Sequence, residues 1–295
     1  MAVVLVVCIA MVSGSVWWRS RAITTVGMLK RVPTTDSLVL YVDFAELRRL
    51  SVLMKLAGSL QNQDPDYVSF VRKTNFDYTN DLDSAVVSFA PDGNYMVLKG
   101  RFDWKALSNY AVAESGFCNN TFCRMPGSTP ERHISFFPLQ PNLMALGVSQ
   151  EDSSAERMQK VDPGPDPEAP NAPIWLSVPP SIGRSGRKLP DGAKMYASSV
   201  EGALGVTLAA VPAKDGFSAR MEVRCRGLSE AVALASELTQ KTQLAKSLIE
   251  REGQKPNPAD FSGFITSGKF HNEGTRVFGE WPAQKALIEN LLGEK

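Results

Sequence analysis

The nearest approach to a chemical motif in this sequence is Gly263-Phe-Ile-Thr-Ser-Gly268-Lys269, which has the glycine and lysine spacing of a phosphate-binding loop. Such a loop needs a Ser or Thr hydroxyl after the lysine to hold magnesium, and Phe270 stands there. It also needs a helix straight afterwards to aim amides at phosphate, whereas His271-Asn-Glu-Gly-Thr-Arg276 reads as a hairpin. The match is one of spacing alone, and no nucleotide or other cofactor is expected. Asp77, Asp81 and Asp83 gather three carboxylates, as a calcium loop or an acid/base pair would. For calcium, Leu82 falls where the sharp-turn glycine belongs and Ser88 where the bidentate glutamate belongs. Carboxylates just ahead of a strand more commonly cap turns. His133 and His271 are the two histidines, and neither sits in a metal-binding pair. Cys118, Cys123 and His133 make three potential zinc ligands with no fourth nearby. No Gly-x-Ser-x-Gly elbow supports a nucleophilic serine. The residues therefore assign no catalytic, cofactor-binding or metal-binding position.

Cysteine placement says more about compartment than about chemistry. Cys8 lies in an apolar segment and Cys225 in an alternating strand pattern, where a buried thiol is the simplest reading. Cys118 and Cys123 flank the turn-like Asn119-Asn-Thr-Phe122. Two readings stand side by side, a local disulfide made in an oxidising compartment and two unrelated thiols. Asn119-Asn120-Thr121 also matches a glycosylation sequon, relevant only in a eukaryotic secretory pathway.

The compartment question leads to the N-terminus. Residues 2–18 carry no charge, end in Trp17-Trp18, and are followed by Arg19 and Arg21. As a helix this run would reach about 26 Å, just short of a hydrocarbon core of roughly 30 Å. Residues 1–22 thus read as a signal anchor, with the tryptophans at the interface, or as a signal peptide cut near Ser13-Gly-Ser15 or Ser20-Arg-Ala22. A lipoprotein site at Cys8 fails because Val7 precedes it. The arginines after the apolar run would hold the body in the cytoplasm by the positive-inside rule, and no basic region precedes it. The expected location is the bacterial inner membrane with the body in the periplasm, the alternative being release into the periplasm after cleavage.

Composition fits a folded globular body. At 295 residues the chain is long enough for two cores, and 43% hydrophobic content is that of a globular protein. Lys and Arg total 32 against 31 for Asp and Glu, with no basic stripe among aromatics, which argues against nucleic acid as a partner.

The elements fall into two series about a spacer. Asp162 to Pro173 holds five prolines and reads as a semi-rigid linker over 161–173. Before it, 33–160 opens with the apolar strand Leu38–Asp43. Helices are expected near Leu47–Ala57, Pro65–Lys73 and Trp104–Ala113, the last capped by Asp103. Ser84–Ala90 and Tyr95–Phe102 form a hairpin about Pro91-Asp-Gly-Asn94. Strands follow near Thr121–Arg124, His133–Leu139 and Leu143–Val148, then a helix from Gln150. After the linker, 174–295 begins with the strand Ile174–Val178, followed by Lys194–Glu201 and Gly205–Val211. Phe217–Cys225 alternates strictly between apolar and polar, the pattern of an antiparallel strand with one wet face. Ser229 to about Glu252 is the strongest helix, with Val232, Ala235, Leu238, Ala245 and Ile249 as its apolar stripe, interrupted by Thr242. Gly268–His271 and Thr275–Trp281 form a last hairpin, and Pro282 opens a closing helix. The expected fold class is α+β: an N-terminal apolar helix, then two antiparallel-sheet-plus-helix modules of ferredoxin-like type.

Arg251-Glu-Gly-Gln-Lys-Pro-Asn-Pro-Ala-Asp260 with Phe278-Gly-Glu-Trp-Pro282, together with Val32-Pro-x-x-Asp36-Ser-Leu-Val-Leu-Tyr-Val-Asp43 and Phe76-Asp-Tyr-Thr-Asn-Asp-Leu-Asp83, resembles a group of exported bacterial proteins best represented among acidobacteria. The resemblance covers most of the body and implies an envelope location. It implies no active site, because that group has no assigned activity. The expected function is a non-catalytic binding or scaffold protein, attached to the membrane through residues 2–18, with a protein partner. The alternative is an enzyme or small-molecule binder using a cleft between the two modules. Asp77, Asp81 and Asp83 would supply its acids, converging with His133 or an arginine.

Overall fold

The computed structural model describes residues 23–54, 65–180, 198–214 and 216–291. The apolar segment 2–18, with Cys8, lies outside them. Among the described residues no helix is long and apolar enough to cross a membrane.

The twelve strands are β1 (Leu38–Asp43), β2 (Leu82–Ala90), β3 (Gly93–Gly100), β4 (Phe117–Asn119), β5 (Phe122–Pro126), β6 (His133–Gln140), β7 (Leu143–Ser149), β8 (Ile174–Val178), β9 (Gly205–Ala213), β10 (Gly216–Arg224), β11 (Lys269–Glu273) and β12 (Arg276–Gln284). They form one sheet in the order β11-β12-β10-β9-β8-β1-β2-β3-β7-β6-β5-β4, every neighbour antiparallel. This corrects the expectation of two ferredoxin-like modules. The join is made by β8, which pairs with β1 on one side (Tyr41 opposite Trp175) and with β9 on the other (Trp175 opposite Ala209). Both edges of β8 are thereby used, and the two halves share a single ladder.

Directly opposed residues project from the same face, so the register shows how the cores are arranged. One row runs Met221, Leu208, Leu176, Leu40, Val87, Met96, Leu146, Phe136, Cys123 across nine strands. Its two ends lie under helices on the same side. Leu107 and Ala111 of α5 (Trp104–Ala113) cover Cys123, Phe136 and Met144. Ala231, Leu234, Ala235 and Leu238 of α6 (Leu228–Arg251) cover Met221, Val223, Val277 and Trp281. Between β1 and β2 lie α2 (Phe44–Arg49), α3 (Pro65–Thr74) and α4 (Tyr78–Asp81). The helix α7 (Phe261–Thr266) lies against α6, and α8 (Lys285–Leu291) ends the described chain.

The opposite face buries Val39, Tyr41, Val86, Tyr95, Val97 and Trp175 beneath Met28 and Leu29 of α1 (Thr25–Leu29) and a 3-10 turn, Ser154–Gln159. The proline-rich segment also lies on this face. Its Ala169 and Ala172 pack against the core, Asp162 N–H donates to Lys30 O at 2.7 Å, and the Asp166 carboxylate meets Lys30 Nζ at 2.8 Å. Glu168 reaches Arg276 on β12 at 2.8 Å, so the segment is a strap spanning both halves of the sheet.

Side-chain caps explain where helices begin. Asp43 accepts from Glu46 N–H at 2.8 Å to start α2, and Asp103 accepts from Ala106 N–H at 3.0 Å to start α5. In α6 the stripe is rotated from the expected one: Val232 is 50% exposed while Thr242 is buried, its hydroxyl donating to Leu238 O at 3.0 Å. Pro282 lies within β12, opposite Ser218, and the closing helix starts at Lys285 instead. Ser198–Val200 forms a single 3-10 turn where a strand was expected; Lys194 to Ala197 fall outside the described residues.

Candidate docking surface at the sheet edge

The three carboxylates do not converge on a cleft. Asp77 is an N-cap: its carboxylate accepts from Thr79 N–H at 2.9 Å, Thr79 Oγ1 at 2.8 Å, Tyr67 OH at 3.0 Å and Asn80 Nδ2 at 2.6 Å. Burial pushes its pKa up, but these donors outweigh burial and hold it below the usual carboxylate range. Burial, then the hydrogen bond to Asp77, drives the Tyr67 phenol well above its ordinary value. Asp81 pairs with Arg101 at 3.0 Å and Asp83 with Arg48 at 3.3 Å, each at the foot of β2. His133 opens β6 opposite Ser149. The three aspartates brace the turn into β2, and neither they nor His133 line the two grooves found among the described residues beside β11 and at the β10–β12 end.

Cys118 and Cys123 face each other across the β4–β5 hairpin and are bonded, with Cα atoms 4.1 Å apart. Cys225 is a free thiol buried in the α6 core, and burial raises its pKa. Among the described residues no group of three or more His, Cys, Asp or Glu is placed to hold a metal ion.

The glycines of the loop-like motif are explained by packing. A Cβ on Gly263 would collide with Asn257 O, and one on Gly268 would meet the Trp281 indole nitrogen at 2.6 Å. Across the ladder, a Cβ on Gly279 would lie 2.9 Å from the Phe270 ring. Gly268 and Gly279 clear space for Phe270 and Trp281, which meet edge to face at 5.1 Å. Lys269 then begins a strand and not a helix.

Beside that strand runs a groove of about 370 Å³ between α6 and β11. Val232, Ser236, Thr239 and Gln240 form its helix side, and Phe270, His271 and Asn272 its strand side. None of these is an acid, a lysine or an arginine. β11 is the terminal strand of the described sheet. Cys225 N–H donates to Thr275 O at 2.9 Å, which fixes the bonding phase between β10 and β12. With a period of two, residues 277, 279 and 281 bond toward β10, and 276, 278 and 280 toward β11. Their partners on β11 are Glu273, His271 and Lys269. The backbone N–H and C=O of Asn272 therefore point away from the sheet. Sequence reading put a hairpin here but missed α7 and the groove, which arises only when α6 folds back over β11.

No protein-family model and no curated protein matches the sequence. The chain is similar to the solved structure of TP0453, described in its crystal form I, with a TM-score of 0.52 and 9% identity over 92% of this chain and 99% of that one. Crystal form III of TP0453 gives 0.51 and 9% over 90% and 98%. At that identity the likeness is one of fold.

Proposed function

We propose that this chain is a non-catalytic binding protein of the bacterial envelope which docks an extended segment of a partner protein along β11, beneath α6. The observation that carries this reading is the uncharged groove beside a terminal strand whose Asn272 backbone groups face outward. An added strand would take its main-chain hydrogen bonds from β11 and set alternate side chains against Val232 and Thr239, the logic of β-augmentation. The Cys118–Cys123 bond fits an oxidising compartment such as the periplasm, as does the resemblance to exported bacterial proteins. Fractionation with sequencing of the mature N-terminus tests the location; a full-length chain in the cytosolic fraction would overturn it.

For docking, a photo-crosslinking side chain at position 232 of the full-length protein is the direct test. The expected result is one defined adduct, mapped to a single segment of the captured chain and abolished by Asn272→Pro. Proline removes the outward N–H while leaving the bonds to β12 intact, a change edge strands tolerate. Scattered adducts indifferent to Asn272→Pro would refute the reading.

A further inference from the structure

The sheet face opposite α6 carries charges arranged in rows that cross β10, β12 and β11. In one row Arg276 lies opposite Arg224 on β10 and Glu273 on β11, and Glu222 reaches it across the diagonal at 2.7 Å. In the next, Arg220 approaches Glu280 at 3.5 Å, and Glu280 lies opposite Lys269 on β11. The second row alternates in sign throughout, the first alternates from Arg276 outward, and each stops at the edge of the described sheet, one on an anion and the other on a cation. The two end residues are four apart on the same strand, with His271 midway between them and stacked on Phe278 at 5.5 Å.

A strand that continued both rows antiparallel to β11 must place a cation opposite Glu273 and an anion opposite Lys269. Read from its own N-terminus, that strand is a base, three residues, then an acid. Lys269-Phe-His-Asn-Glu273 is itself such a sequence. We infer that the strand docking at this edge is β11 of a second copy of the chain, related by a two-fold axis passing between the paired His271 residues. This rests on the docking reading above and names the partner. The alternation then continues across the seam: Arg276 and Glu273 of one copy are followed by Lys269, Glu280 and Arg220 of the other, and symmetry repeats the row in reverse.

The register also suits the backbone. The outward Asn272 N–H of each copy meets the Phe270 carbonyl of the other, an acceptor with two lone pairs. A one-residue slip would turn the charged side chains of one copy to the opposite face of the sheet from those of the other, so the rows fix the register as well as the partner. The contact is isologous and closes on itself, giving a dimer rather than a filament.

Sedimentation velocity of the full-length protein across the micromolar range tests this. The wild-type chain is expected to be dimeric. Glu273→Lys sets like charges together twice in each dimer, and so does Lys269→Glu. Each variant alone should raise the dimer dissociation constant by about tenfold or more. An equimolar mixture of the two variants restores opposite charges in both rows and should form a heterodimer with near wild-type affinity. That rescue separates electrostatic repulsion from misfolding of either variant. A wild-type chain that stays monomeric, or single reversals that leave the dimer intact, would overturn the inference. If the wild type is monomeric while the position-232 crosslink still traps one segment of a different protein in an Asn272→Pro-sensitive manner, the self-pairing fails and the docking reading stands. If both measurements are negative, both fail.

Discussion

Truncating Leu238 to alanine tests whether the two halves of the chain unfold together. Leu238 is fully buried among Met221, Val223, Val277 and Trp281, in the core beneath α6. Losing its three side-chain carbons removes transfer free energy and leaves a cavity, together about 3 kcal/mol in a site that cannot collapse onto a rigid ladder. With a urea dependence of about 3 kcal/mol per molar, the unfolding midpoint falls by about 1 M. Two tryptophans report from different places. Trp281 belongs to the perturbed core, and Trp175 is 2% exposed on the other face of the sheet, stacked on Tyr41 at 5.5 Å. In chains keeping one of these and phenylalanine at the remaining tryptophans, both signals should share a midpoint, and Leu238→Ala should lower both equally. The reasoning requires this because Trp175 sits on β8, whose partners are β1 and β9. A displaced Trp281 transition with an unmoved Trp175 transition would refute it and show two independent folding units.

Two smaller effects follow from local features. Reducing the Cys118–Cys123 bond, or replacing both residues with serine, releases a loop with a sequence separation of only 5, so the loss should be near 2 kcal/mol. Calorimetry with and without reductant should then show a melting temperature lower by about 4–8 °C. Asp77 contributes to acid sensitivity: its folded pKa lies below the unfolded value, so its stabilisation is present above about pH 4 and is lost as pH falls through the depressed folded pKa. Urea midpoints at neutral pH and near pH 3 should differ less in Asp77→Asn than in wild type; an unchanged difference would contradict the role given to its four donors.

Much of the local structure was legible. Trp104–Ala113 is a helix with the expected limits and the expected Asp103 cap, because cap and periodicity are encoded within a dozen residues. Phe217–Cys225 shows its alternation directly: Ala219, Met221 and Val223 face α6 while Arg220 and Glu222 enter the charged rows. What could not be read was long-range. Nothing in Leu38–Asp43 or Ile174–Val178 announces that they pair, since each is a short apolar run able to join many partners. The proline-rich segment reads as a spacer because prolines forbid regular ladders; its anchoring depends on Lys30 and Arg276, both remote in sequence. The rotation of the α6 stripe has the same origin. Val232 looks like a core residue by hydropathy, and the edge position of β11 leaves it facing a groove. Of the docking surface, only the general expectation of a protein partner was visible.

The position of β1 has a consequence for how the chain is made. It is the first strand among the described residues, yet it lies inside the sheet, and the neighbour on its far side, β8, follows β7 only after the proline-rich segment. The strands β1 to β7 are joined by local antiparallel pairings, apart from the β1–β2 and β3–β7 contacts, and can assemble as soon as Ser149 has left the ribosome. During that interval β1 presents an unpaired, largely apolar flank to the surroundings, the kind of surface that aggregates or recruits a chaperone. Arrival of Ile174–Val178 closes that flank and at once offers β9 a place to begin the second half. The later strands are thus added to a template already folded, and translation speed through the strap sets how long the nascent protein stays vulnerable.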